Sequence, residues 1–171
     1  MGTINTLLAR LQGQRVYIDT NYLIYFLDRA EPYFDIVAPI FQACDRGDFS
    51  GFTGDAAVCE VMVHPYRNKS PSEIARGKSL FSREGFLTVL RHDANSFDLT
   101  AQIRAESNMR MLDALHYATA FKRDADSCLP TITTSKPAPL LKSFKSNRSS
   151  VRARRDAAGR APLLIADYTG Y

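Results

Sequence analysis

Hydrophobic positions in the first three quarters of the chain alternate between short continuous runs and longer stretches of helical period. Val16-Tyr17-Ile18 is a short apolar run that ends in Asp19, and apolar residues then recur at Leu23, Ile24, Phe26 and Leu27. A run rich in β-branched and aromatic residues suits a strand buried on both faces, and i, i+3, i+4 spacing suits a helix packed beside it. The pattern therefore predicts a first strand over 15–19 and a first helix over 20–28. Pro32 suits the first position of the next helix. That helix buries Ile36, Val37, Ile40 and Phe41 and stops at Gly47. A second strand is predicted over 49–53. Asp55 can cap a helix over 56–63, halted before Pro65. Ser70-Pro71-Ser72-Glu73 has the order of a helix start and leads to about Ser82. A third strand is expected over 86–90, caps at Asp93 to Ser96 for a helix over 97–108, and a last helix over 112–121.

Strands alternating with helices predict an α/β fold: a mostly parallel sheet with helices on both faces. There is no internal repeat. After Ser127 the periodicity fades, and Pro130, Pro137 and Pro139, then Ser143, Ser146, Ser149 and Ser150, interrupt any long element. The expected organisation is a folded unit over 1–127 and a basic Ser/Pro/Arg-rich segment over 128–171, irregular where a last strand would fall.

Charge sharpens that division. The net charge is +4, but residues 128–171 hold eight basic and two acidic residues, which is +6 and leaves −2 for residues 1–127. A basic tail raises the idea of phosphate contacts. It lacks interleaved aromatics for base stacking, and a Ser/Arg-rich composition is more simply disordered. No stretch approaches the roughly 20 apolar residues of a membrane span, and the first ten residues do not have the order of a secretory signal. Cys44, Cys59 and Cys128 are scattered and match no metal spacing. These features favour a cytoplasmic protein with buried thiols acting as small hydrophobes.

In open α/β sheets ligands bind at the carboxyl ends of the strands, where Asp19 lies. Asp19 is equally suited to cap the following helix. Glu60 stands alone within Ala57-Val58-Cys59-Glu60-Val61-Met62-Val63, either paired with something that satisfies it or exposed on an amphipathic face. Asp113 precedes an apolar helix, as a ligand or as a cap. His116, three residues later, lies on the same side of that helix or packs in the core. His64 and His92 sit near element ends and receive no role. Three carboxylates in a small volume repel one another, and a divalent cation resolves that conflict. Oxygen ligands without Cys or His at metal spacing favour Mg²⁺ or Mn²⁺ over Zn²⁺, and the chemistry implied is phosphodiester hydrolysis. No Ser-His-Asp order, Walker loop or dinucleotide glycine motif is present.

The segment Ile18-Asp19-Thr20-Asn21-Tyr22-Leu23-Ile24-Tyr25-Phe26-Leu27 resembles the opening motif of PIN-domain ribonucleases, especially VapC-type toxins. Phe52-Thr53 through Glu60 to Val63, with Pro65-Tyr66-Arg67, resembles their second acidic motif. Ile103-Arg104-Ala105-Glu106 through Leu112-Asp113-Ala114-Leu115-His116 to Ala120 resembles their third. The order and spacing match over about residues 14–127. The resemblance implies a three-layer α/β/α sandwich and Mg²⁺- or Mn²⁺-dependent cleavage of RNA, with Asp19, Glu60 and Asp113 as metal-binding and catalytic carboxylates. It implies that Asn21 orients Asp19 and that Thr20 lies beside the site. An antitoxin protein partner and a homodimer are also implied. The competing reading is a degenerate member of the fold that binds RNA or its partner without cleaving.

The family's fourth acid, in a Thr-Asn-Asp-like motif, should fall near residues 130–133. Here the chain reads Cys128-Leu129-Pro130-Thr131-Ile132-Thr133-Thr134-Ser135-Lys136, without an acid. Codons allowed for these residues, read one phase over, can spell Phe-Thr-Asn-Asp-His-Asp-Phe-Lys. The reading that follows is a shifted frame after about Ser127, a site short of one ligand, and low nuclease activity. Sequencing the gene across codons 120–140 tests the shift.

Overall fold

The structure, a computed structural model, describes residues 2–122, 127–129 and 142–143. Its sheet is built from β1 (Arg15–Ile18), β2 (Ser50–Gly54), β3 (Thr88–Leu90), β4 (Ser127–Leu129) and β5 (Lys142–Ser143), in the order β3-β2-β1-β4-β5. β1 pairs in parallel with β2, through Tyr17 opposite Phe52, and with β4, through Tyr17 opposite Cys128. β3 is parallel to β2, and β5 is antiparallel to β4. β1 is therefore central, and its carboxyl end opens between two neighbouring strands, the place where such sheets bind ligands. Thr53 Oγ1 donates to the Ile18 carbonyl at 2.9 Å, fixing β1 one residue before Asp19.

Side-chain alternation along β1 divides the core. Val16 and Ile18 join one apolar cluster with Leu23 of α2 (Thr20–Asp28), Ile40 and Phe41 of α3 (Phe34–Asp45) and Val61 of α4 (Asp55–Arg67). Tyr17 joins a second cluster with Ile103 of α6 (Ala94–Glu106) and Ala114 and Ala118 of α7 (Met111–Lys122). Two cores on opposite faces make the three-layer α/β/α sandwich expected from the alternation. Each fully buried Leu, Ile or Val in them is worth about 2 kcal/mol. The alanines let α7 approach the sheet closely.

Several local expectations hold. Ser70 caps α5 (Pro71–Ser82), accepting from the Glu73 N–H. Asp93 caps α6 in a reciprocal box with Ser96, so that helix begins three residues earlier than its apolar pattern suggested. Others need correcting. α3 begins at Phe34, and Pro32 precedes it. α4 runs through Pro65 to Arg67, although proline removes one N–H and strains the preceding turn. Packing of α4 against α2 and α5 outweighs that cost. Asp55 is the first residue of α4, and Gly54 occupies the cap position. An unanticipated helix, α1 (Gly2–Leu11), packs Ile4, Leu7, Leu8 and Leu11 on the first core. Cys44 is buried as expected, but Cys59 is exposed. Where periodicity faded, three residues still form a strand: β4 pairs with the central β1, and Leu129 is fully buried in the first core. Apart from β5, the rest of the 128–171 segment, with the position of the missing fourth acid and the expected frame shift, lies outside the described residues.

Candidate functional site

Three separate elements bring the candidate residues to the carboxyl end of β1. Asp19 ends the strand and caps α2, its Oδ1 accepting from the Thr20 N–H at 2.8 Å. The capping reading holds, and the cap stands at the carboxyl end of the central strand, the edge where such sheets bind ligands. Thr20, buried in the first turn of α2, donates from Oγ1 to Glu60 Oε2 at 2.6 Å. Glu60 reaches the same point from the second turn of α4. His116 reaches it from α7, with Nε2 at 2.8 Å from Glu60 Oε2, 3.2 Å from Thr20 Oγ1 and 4.0 Å from Asp19 Oδ1. On the other side of the ring, Nδ1 meets the Tyr17 hydroxyl at 2.6 Å. Asp113 is the third residue of α7, one turn before His116 and half-buried, so it lies inside the helix rather than capping it. Asn21 follows Thr20 in the first turn of α2, half-buried.

The electrostatics record this gathering. Burial lifts the Asp113 carboxyl above its ordinary range, and the Asp19 and Glu60 charges push it the same way against His116 and Arg110. Burial works against the charge on Glu60 too, but hydrogen bonds from His116 and Thr20 overcome it and hold its carboxyl below the usual value. For His116 burial favours the neutral ring. The hydrogen bond to Glu60 and the charges of Asp19, Glu60 and Asp113 outweigh it and raise the imidazole above its ordinary value. The site is thus a nest of like charges with one imidazole as internal counter-charge.

An oxygen-rich acid set of this kind fits a hard divalent cation in chemistry and in charge. It does not fit one in distance as it stands. Among the described residues, no three His, Cys, Asp or Glu side chains lie close enough together to hold a metal ion. Glu60 Oε2 is instead taken by His116 and Thr20.

Two features had no sequence signal. His92, just after β3, shares hydrogen bonds with Asp55 through Nδ1 and with Thr119 Oγ1 through Nε2, the latter at 2.9 Å. Its partners are 37 and 27 residues away, too far for local spacing to reveal them. Beside the acids lies a cleft of about 250 Å³ between α2, α4 and α5, lined by Ile24, Leu27, Glu60, His64, Glu73 and Arg76 among others. It shares Glu60 with the acid cluster but is not lined by Asp19 or Asp113.

The family model described as PIN domain matches residues 16–134. Two solved structures share the fold. One is the Mycobacterium tuberculosis VapC20, a sarcin-ricin-loop-cleaving toxin, with a TM-score of 0.56 at 10% identity, covering 68% of this chain and 88% of that one. The other belongs to a toxin–antitoxin complex from Klebsiella pneumoniae, with a TM-score of 0.52 at 19% identity, covering 76% of this chain and 90% of that one. No curated protein matches this sequence.

Proposed function

The chain belongs to the PIN domain family, and from that premise we propose that it is a Mg²⁺- or Mn²⁺-dependent endoribonuclease, the toxin of a toxin–antitoxin pair. The observation that carries the reading is the meeting of Asp19, Thr20, Glu60 and His116 at the carboxyl end of the central strand, with Asp113 one helical turn away and electrostatically coupled to them. Asp19, Glu60 and Asp113 are the carboxylates that would hold the cation, with Asn21 orienting Asp19. When bound, such an ion supplies an activated water and charge neutralisation at a phosphodiester. The chain's own contribution is positional. Thr20 and His116 fix one oxygen of Glu60, the Asp19 cap ties its carboxylate to the α2 terminus, and the first turn of α7 carries Asp113 one turn before His116.

The fold shared with a chain of a toxin–antitoxin complex supports an antitoxin partner for this chain, and RNA is the substrate that the family reading favours. A homodimer acting in the cytoplasm completes the reading. No helix among the described residues is long and apolar enough to cross a membrane. The test is cleavage of a structured RNA in Mg²⁺ or Mn²⁺ by the purified chain and by its D19N, E60Q and D113N variants. Metal-dependent cleavage lost in all three supports the reading, and cleavage that survives all three removes it. Beside a version carrying the Thr-Asn-Asp motif after Ser127, this chain should cleave more slowly, and equal rates would remove the expected impairment.

One observation favours a second reading. The Glu60 oxygen is already satisfied by His116 and Thr20, and no three-residue metal group forms among the described residues. A degenerate fold that binds RNA or an antitoxin without cleaving would look the same. Titration with Mn²⁺ separates the two, because RNA or partner binding by the degenerate form does not respond to the ion.

A further inference from the structure

Fixed positive charge around the acid cluster decides whether a polyanion can reach it. Three carboxylates in a small volume repel a phosphodiester strand as they repel one another. A strand drawn to them needs cations along its path. Two arginines stand at that place.

Arg110 immediately precedes α7, and its carbonyl accepts the Ala114 N–H at 3.0 Å. Asp113 follows three residues later, so both belong to the opening turn of that helix. The Arg110 side chain is exposed, and its charge acts on the half-buried Asp113 carboxyl. Arg76 is exposed on α5 and lines the cleft that Glu60 also lines. α5 packs Leu80 into the first core, whereas α7 supplies Ala114 and Ala118 to the second. The two arginines therefore approach the acids from opposite faces of the sheet, Arg76 on the Glu60 side and Arg110 on the Asp113 side.

Neither guanidinium is engaged elsewhere. Arg46 and Arg83 pair with Asp48 and Asp45, each at 2.6 Å, and Arg15 and Arg29 lie over the Phe52 and Phe34 rings. The side chains of Arg76 and Arg110 make no hydrogen bond, ion pair or ring contact among the described residues. A free guanidinium fork matches phosphate oxygens two at a time.

We propose that Arg76 and Arg110 bind backbone phosphates of one RNA strand on either side of the phosphate presented to the acid cluster, so that the strand crosses the carboxyl edge of the sheet from α5 to α7. The proposal rests on the reading of RNA as the substrate and needs no bound metal. Phosphate contacts position a strand without reading its bases. The pair sets where the strand lies, and sequence preference comes from elsewhere.

The experiment measures binding of a labelled short single-stranded RNA to the full chain by fluorescence anisotropy over a series of KCl concentrations, in EDTA and again in Ca²⁺. The slope of log affinity against log salt should become shallower by about 0.7 in R76Q, by about 0.7 in R110Q and by about 1.4 in the double variant, one single-strand phosphate contact for each arginine. R76K and R110K should keep the wild-type slope, and the loss in the glutamine variants should be alike for RNAs of different sequence. Arg46, between α3 and the amino end of β2, lies at the opposite edge of the sheet, so R46Q should leave the slope unchanged. An unchanged slope in either R76Q or R110Q overturns the two-sided track, and so does an equal change in R46Q, which would reduce the effect to net charge. A matching loss of affinity for polyglutamate would assign the pair to polyanions in general and overturn RNA as its ligand. Unchanged slopes beside Mn²⁺-dependent cleavage by the wild type remove this proposal and leave the nuclease reading standing. Slopes that fall as stated without any cleavage support the track and remove the nuclease reading instead. A wild type without salt-dependent RNA binding in either buffer removes both.

Discussion

His116 and His92 form two stations built from the same parts. Each imidazole takes a carboxylate on one nitrogen and a hydroxyl on the other: Glu60 and Tyr17 for His116, Asp55 and Thr119 for His92. Each involves α7 and the face of the sheet that carries Tyr17. The difference lies in what surrounds the carboxylate. Asp55 is nearly half exposed at the start of α4 and pairs with a single ring. Glu60 is one of three acids whose charges act on one another, and it receives a second donor from Thr20. A histidine between an acid and a hydroxyl is therefore not by itself a functional signature. At His92 it pins the end of β3 to α4 and α7. At His116 it organises a site where negative charge has been concentrated beyond what the fold requires.

The comparison breaks most sharply in activity. E60Q should lower RNA cleavage by about a hundredfold or more, the scale for losing one preorganised group that stabilises developing charge. D55N, the matching change at the other station, should stay within about twofold, as expected of a half-exposed site away from the reacting groups. Single-turnover cleavage rates on one RNA measure both, and similar losses would make the two stations equivalent.

A second change reverses the pattern, touching stability and sparing the acids. A Cβ placed on Gly54 would lie 2.6 Å from His92 Cε1 and 2.8 Å from its Nε2. The ring is held by Asp55 and Thr119 and has no slack to give. G54A should cost about 1–3 kcal/mol by overpacking, read from urea unfolding, and leave Mn²⁺ affinity unchanged. A fall in affinity matching the fall in stability would mean that the two stations are one cooperative unit.

Residue by residue, the sequence discloses what is local and conceals what is distant. Asp19 was legible because a strand ends and a helix begins around it, and Glu60 because a lone charge in an apolar run asks for a partner. His116 was legible as one turn from Asp113. Tyr17 was not, since its hydroxyl finds its partner 99 residues away and its ring satisfies the apolar pattern. His92 was concealed for the same reason. α1 was written in the spacing of Ile4, Leu7, Leu8 and Leu11, but a short helix at a chain end has little flanking pattern to set it off. Pro65 misled because a local stop signal was outweighed by tertiary packing. β4 escaped because Ser127-Cys128-Leu129 is too short to show a period, and its pairing with β1 supplies what its sequence does not.

The smallest expected effect concerns pH, and it sharpens the contrast between acids within the site. In metal-free protein, Glu60 is held below its unfolded value of 4.5, so its contribution is present above that pH and is lost as pH falls through the folded value. His116 is held above its unfolded value of 6.5, so its contribution is complete below that pH and fades as pH rises through the folded value. The pair therefore supports the fold best in the weakly acidic window between them. Asp113 has the opposite sign for an acid. Its carboxyl is raised, so its ionised form works against the folded state at neutral pH, and protonation relieves that cost. With EDTA present, the thermal midpoint of the wild type should decline from weakly acidic toward alkaline pH, and H116N should flatten that decline. At neutral pH E60Q should lower the midpoint and D113N should raise it by a few degrees at most. Two acids of one site would then have opposite effects on stability: Glu60 gains from its hydrogen-bond donors, and Asp113 bears the repulsion. A D113N midpoint below that of the wild type would show that its place in the first turn of α7, where a negative charge meets the helix N-terminus, outweighs the charges of Asp19 and Glu60.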